Sequence, residues 1–143
     1  MKLLDSDHCV AILRGQLDLR EHVTADEELA VTAISVGELM HGVHKSQRLP
    51  ENLAKLDVLL SALIVLNYDE LSARRFGQLK AIVERDGERI GDLDLQIASI
   101  AIQHNVPLIT HNQAHFQRLA NYVNLALDDW LHPGAGNSGG KSC

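Results

Sequence analysis

DLDLQIASIAIQHNVPLIT, residues 92–110, reads as a buried helix handing over to a buried strand. Ile97, Ala98 and Ala101 follow Asp94 at i+3, i+4 and i+7, so the helix expected over Asp94–His104 is apolar on one broad face and must be packed. Pro107 interrupts the chain, and Leu108 to Thr110 is the short apolar run of a covered strand. Working outward, the same alternation recurs. Lys2–Leu4, Leu29–Ile34 and Ile64–Leu66 read as strands, with Val123–Leu127 as a last edge strand. Asp7–Arg14, the stretch opened by Ser35, Pro50–Ala62, Glu70–Glu84 and Asn112–Leu119 carry helical spacing, with Pro50 suited to a first turn. Strand and helix in alternation predict an α/β chain in three layers, α/β/α, around a mostly parallel sheet. Ligands then belong in the crevice beyond the carboxyl ends of the strands.

Composition narrows the function. Thirteen Lys+Arg against nineteen Asp+Glu give a formal charge of −6, which excludes a broad positive nucleic-acid-binding surface, and 3% aromatic content argues against stacking platforms. Cys9 and Cys143 make no disulfide framework and suit a reducing compartment. No run approaches the roughly 18 apolar residues of a membrane span. A cytoplasmic protein with no membrane partner is the expectation. Residues 1–131 are expected to form one domain, and 132–143, HPGAGNSGGKSC, a disordered Gly/Ser-rich tail.

Four polar groups fall at strand ends or helix starts. Asp5 ends the first strand, with Asp7 two residues on and Ser6 or Asp7 as a helix cap. Glu38 stands three residues after Ser35, the spacing of a capping box, yet Gly42 one turn later costs a helix about 1 kcal/mol against Ala and points to close approach by a chain segment or ligand. Asp94 shares the apolar stripe, where a lone carboxylate costs several kcal/mol unless cations or donors compensate it; Asp92 is the better exposed cap. Asn112 follows the strand Leu108–Thr110 and is also a natural cap. A parallel sheet brings all four to one side. Convergent carboxylates repel unless metal lies among them, and oxygen ligands suit Mg²⁺ or Mn²⁺.

The pieces MKLLDSD, AISVGELMHGV, RIGDLDLQIASIA, PLITHNQAHFQRL and LALDDW, in this order, resemble the PIN-domain family, in particular the VapC-type toxins of toxin–antitoxin pairs. The resemblance spans Met1 to about Trp130 and implies a PIN-like, Rossmann-like fold. It places the family's first Asp on Asp5, its helix Glu on Glu38 and its third acidic residue on Asp94. The fourth position, Asp in many members, is Asn112 here. The resemblance further implies a metal-dependent endoribonuclease, catalytic through Asp5, Glu38, Asp94 and Asn112. Asp5, Asp94 and Glu38 would hold Mg²⁺ or Mn²⁺, the substrate would be structured RNA, commonly tRNA, and cleavage would block translation. A VapB-type antitoxin and a homodimer are the implied partners, with the helices Pro50–Ala62 and Glu70–Glu84 offering apolar stripes. Lys45, Arg48, Arg85, Arg89 and Arg118 are candidates for RNA contact.

Three other readings compete. LLDSD also fits a haloacid-dehalogenase-like phosphohydrolase with Asp5 as nucleophile and Asp7 as acid/base. Glu38, His41 and His44, with His111 and His115, have the spacing of zinc ligands, although three-residue steps carry Glu38 and His44 apart around a helix. The third is a PIN-fold module that binds RNA or a partner without cutting.

Overall fold

The computed structural model describes residues 1–131, and the expected tail lies outside the described residues. Strand β1 (Lys2–Leu4) is central in a five-stranded sheet of order β3-β2-β1-β4-β5, with β2 at Leu29–Thr32, β3 at Ile64–Leu66, β4 at Leu108–Ile109 and β5 at Leu127–Asp128. Every pairing is parallel, so that Leu3 lies beside Ala30 on one side and Leu108 on the other. Parallel neighbours require crossovers, supplied by α1 (Ser6–Leu13), α2 (Ala33–Lys45), α3 (Leu49–Ser61), α4 (Glu70–Arg85), α5 (Asp92–His104) and α6 (Gln113–Ala120).

Successive strand residues point to opposite faces and build two cores. Leu3, Ala30 and Leu108 join Leu79, Val83, Ile97, Ile100 and Phe116 beneath α4, α5 and α6. Leu4, Val31 and Ile109 join Cys9, Leu39, Val43 and Leu56 beneath α1, α2 and α3. This is the three-layer arrangement that the sequence predicts. Helix α5 is buried from Ile97 to Ala101, and its one polar residue there, Ser99, donates to the Leu95 carbonyl at 2.6 Å. Asn105 ends the helix at φ 53, a left-handed conformation that Asn tolerates, and turns the chain toward Pro107 and β4.

Several boundaries differ from expectation. Thr32 accepts the Ser35 N–H at 3.0 Å and caps α2, so β2 stops at Thr32 and Ser35 lies inside the helix. Gly91 precedes α5, and Asp92 lies in its first turn, paired with Lys80 Nζ at 3.0 Å. The last strand falls at Leu127–Asp128, because Tyr122 and Val123 instead donate backward to the Leu119 carbonyl as α6 closes. A short 3₁₀ turn at Leu19–Glu21, unanticipated, is capped by Asp18. No helix among the described residues is long and apolar enough to cross a membrane.

From β1 the chain crosses to β2 on one side, whereas β4 lies on the other; connections leaving β1 and β4 therefore diverge and open a crevice beyond their carboxyl ends. Ile100→Ala tests the packing that supports this crevice. The side chain is fully buried, and its truncation is expected to lower the unfolding free energy by about 2–5 kcal/mol in urea titrations with an unchanged slope.

Candidate active site

Asp5 follows β1 directly and serves two purposes. As the first residue outside α1 it caps that helix, with Oδ1 accepting the Ser6 N–H at 2.9 Å. Its Oδ2 accepts from Thr110 Oγ1 at 2.8 Å, just past β4, and the Asn112 N–H donates to the same hydroxyl at 3.0 Å. The side chain is almost wholly buried. Burial pushes its carboxyl above the usual range, and the negative charges of Asp7 and Asp94 push the same way, against the Thr110 and Ser6 hydrogen bonds. Asp7 behaves oppositely. Burial would raise it, but His8 and the His111 N–H outweigh that effect and hold it below the ordinary value.

Glu38 approaches from the outward face of α2, one turn beyond where a capping box would put it. Its carboxyl is also raised, first by loss of solvent and then by Asp5, Asp94 and Asp7. Gly42 has open space where a Cβ would stand, so no neighbouring segment of the described chain presses on it. Glu38 and Gly42 instead line a groove of about 570 Å³ with Ser6, Arg14 and Lys55. Asp94, in the first turn of α5, is half-buried, and its Oδ2 lies 2.9 Å from His115 Nδ1 and 3.4 Å from Asn112 Nδ2. Asn112 stands at the cap position of α6 without capping it; its amide turns to Asp94 and His115.

Asp5, Glu38 and Asp94 therefore feel one another's charge, and Asn112 joins them through Asp94. As they stand, the side chains do not close on one point: among the described residues no three His, Cys, Asp or Glu groups are placed to ligate an ion directly. The donor set nonetheless suits a hard, hydrated cation such as Mg²⁺, which keeps several waters and takes one or two carboxylates. Asp5 and Glu38, raised first by burial and then by the charge of neighbouring carboxylates, are short of positive charge. His111 and His115 do not share a ligand site: His111 Nδ1 lies 2.8 Å from Asp129, whereas His115 Nδ1 lies 2.9 Å from Asp94 and orients it.

Sequence reading missed Thr110, and named His115 only for its zinc-like spacing to His111. Thr110 had a usable signal, a hydroxyl at the end of a buried strand; the tie from His115 to Asp94 had none, because it depends on how α5 meets α6. Of the basic candidates, Arg118 pairs with Glu88 at 2.9 Å, Arg48 with Glu51 at 3.8 Å, and Arg85 Nε donates to the Ala81 carbonyl at 3.3 Å. Lys45 and Arg89 form no ion pair among the described residues.

Comparison with known proteins places the fold. The family described as "PIN domain" matches residues 2–122. The chain is 33% identical over 132 residues to "Ribonuclease VapC2" of Rickettsia felis, covering 90% of this chain and 96% of that protein. It is 28% identical over 130 residues to "tRNA(fMet)-specific endonuclease VapC" of Shigella flexneri, with the same coverage. Among solved structures, VapBC2 from Rickettsia felis bound to a promoter DNA fragment superposes with a TM-score of 0.81 at 32% identity, covering 90% of this chain and 98% of that one. DNA-bound VapBC from Salmonella typhimurium superposes at 0.82 and 28% identity, covering 91% and 99%.

Charge crowding has a direct consequence for stability. Glu38→Gln removes one like charge from the group, so in the presence of a chelator its melting temperature is expected to rise above that of the parent protein; a fall would contradict the crowding. Thr110→Val keeps the volume but strips Asp5 of a donor, and is expected to cost about 1–3 kcal/mol in chemical denaturation.

Proposed function

The chain belongs to the PIN-domain family, and from that premise we propose that it is a VapC-type endoribonuclease, the toxin of a toxin–antitoxin pair, which cuts structured RNA, tRNA above all, with Mg²⁺ or Mn²⁺ and so blocks translation. The observation that carries this reading is the placement of Asp5 just after β1, Glu38 on α2 and Asp94 in the first turn of α5, with the charge of Asp94 bearing on both of the others.

Asp5, Glu38 and Asp94 would hold the ion. When bound, such an ion draws charge from a phosphate oxygen and makes a nearby water more acidic. The chain's own groups do the placing. Thr110 and the Ser6 N–H fix Asp5, and His115 with Asn112 fixes one oxygen of Asp94. The Asn112 amide, standing where many relatives carry a carboxylate, can orient a water without adding charge. Asp7, which a covalent phosphohydrolase would use as acid/base, is instead tied to His8 and the His111 N–H and held below its ordinary value, so the arrangement lends nothing to that chemistry.

For an overall charge of −6, attraction to RNA must be local, and Lys45, Arg85 and Arg89 are the basic candidates without an ion-pair partner among the described residues. A VapB-type antitoxin is supported by relatives solved as VapBC complexes. The stripes on α3 and α4 are divided: Leu56, Leu79 and Val83 are core, whereas Leu71, like Val58 off the stripe and Ile64 and Val65 of the edge strand β3, stays exposed, apolar surface suited to a homodimer or the antitoxin.

Total RNA incubated with the purified protein is expected to acquire new 5′ ends only with Mn²⁺ or Mg²⁺. Asp5→Ala and Asp94→Ala should each lower cleavage about 100-fold or more. Cuts that persist in chelator or in Asp5→Ala would contradict the proposal, and RNA binding without cleavage would favour a non-catalytic module.

A further inference from the structure

Asp7 closes a ring of contacts that the proposed chemistry does not use. Its Oδ1 lies 2.7 Å from Nδ1 of His8, and its Oδ2 accepts the His111 N–H at 2.9 Å. His8 is fully buried, and its Nε2 accepts the backbone N–H of Trp130 at 3.0 Å. The preceding residue, Asp129, reaches back to His111, Oδ2 to Nδ1 at 2.8 Å, while its Oδ1 accepts the Leu131 N–H at 2.8 Å. The ring runs Asp7, His8, Trp130, Asp129, His111 and back to Asp7. It joins the start of α1, the loop after β4 and the segment after β5. The Trp130 indole stacks on His22 with ring centres 4.9 Å apart and meets His8 edge-on at 6.0 Å, holding that segment from outside.

One protonation pattern satisfies the ring. The Trp130 N–H can only donate, so Nε2 of His8 must be bare, and the single proton of the neutral imidazole then sits on Nδ1 and is donated to Asp7. Full burial leaves no water to substitute for either partner. His111 stands between Thr110, which serves Asp5, and Asn112, which serves Asp94; its backbone is held by Asp7 and its ring by Asp129.

We infer that residues 129–131 form a strap on the candidate site, and that His8, Asp7 and Asp129 are positioning residues that set where the loop 110–112 presents Thr110 and Asn112. For its activity readout this inference rests on the ribonuclease reading. The full-length chain is compared with Asp129→Ala, Asp129→Asn and Asp7→Asn. Asparagine at position 7 offers one carbonyl oxygen to two donors, His8 Nδ1–H and the His111 N–H, so one side of the ring must open at nearly constant volume. Asparagine at 129 keeps both contacts, its oxygen accepting the Leu131 N–H and its amide donating to Nδ1 of His111, whose exposed ring is free to carry its proton on Nε2.

The expected results are an Nδ1–H tautomer for His8 by ¹⁵N NMR, faster amide exchange confined to His111, Trp130 and Leu131 in Asp129→Ala and to His111 and Trp130 in Asp7→Asn, and a fall in kcat of about tenfold with KM for RNA little changed. Asp129→Asn should recover most of kcat. A His8 Nε2–H tautomer in the parent protein would overturn the inference. So would kcat unaffected by either opening variant, a rise in KM alone, or exchange accelerated throughout the chain. If the parent protein cuts no RNA, the ribonuclease reading fails by itself, and the ring stands or falls on the tautomer and on the localised exchange.

Discussion

Like charge gathered around one buried carboxylate is the constraint from which the rest of this molecule can be understood. A parallel sheet ends all its strands on one side, and the chain places Asp5 directly after β1, with Asp94 and Glu38 arriving from α5 and α2. Burial and mutual repulsion both disfavour the charged form of Asp5, and a fold gains nothing in stability from such an arrangement. Two donors partly offset it, the free N–H at the start of α1 and the Thr110 hydroxyl. The remaining deficit is what a cation would fill. Cys9, one turn along α1, shows the same environment from another side: burial first, then Asp5 and Asp7, push its thiol up to about 12, which leaves it an inert core residue.

Much of this was legible before the fold. The stripe Ile97, Ala98, Ala101 demanded a buried helix, and β-branched runs bounded by caps and a proline demanded strands, because hydrophobic period is a local property. Asp5, Glu38, Asp94 and Asn112 were legible as a set only through the parallel topology and the family resemblance. The capping-box reading of Ser35 and Glu38 failed for a local reason, a better cap at Thr32 one turn earlier. The final strand shifted because α6 ends by bonding back on itself, a choice between two satisfactory local structures.

What could not be read from the sequence is tertiary. His8 lies in the first helix and Trp130 in the last described segment, and nothing in either neighbourhood announces that an imidazole nitrogen will accept a backbone N–H across 122 residues. The same holds for His115 and Asp94. Helix capping was compatible with Asp5, Glu38 and Asn112 taken singly, and only Asp5 fulfils it, whereas Glu38 lies a turn past the cap and the Asn112 amide turns to Asp94 and His115. The net charge of −6, which at first sight disfavours a polyanion partner, thus contains a concentrated acidic group whose proposed cation would reverse the local sign.

The central claim, that these carboxylates share one divalent cation, is tested most directly by anomalous scattering from crystals of the protein soaked in Mn²⁺. The account predicts a single strong peak in the crevice beyond β1 and β4, with oxygens of Asp5 and Asp94 and bound waters around it and Glu38 turned toward it. A peak at the histidines alone, or an empty crevice at saturating Mn²⁺, would contradict it.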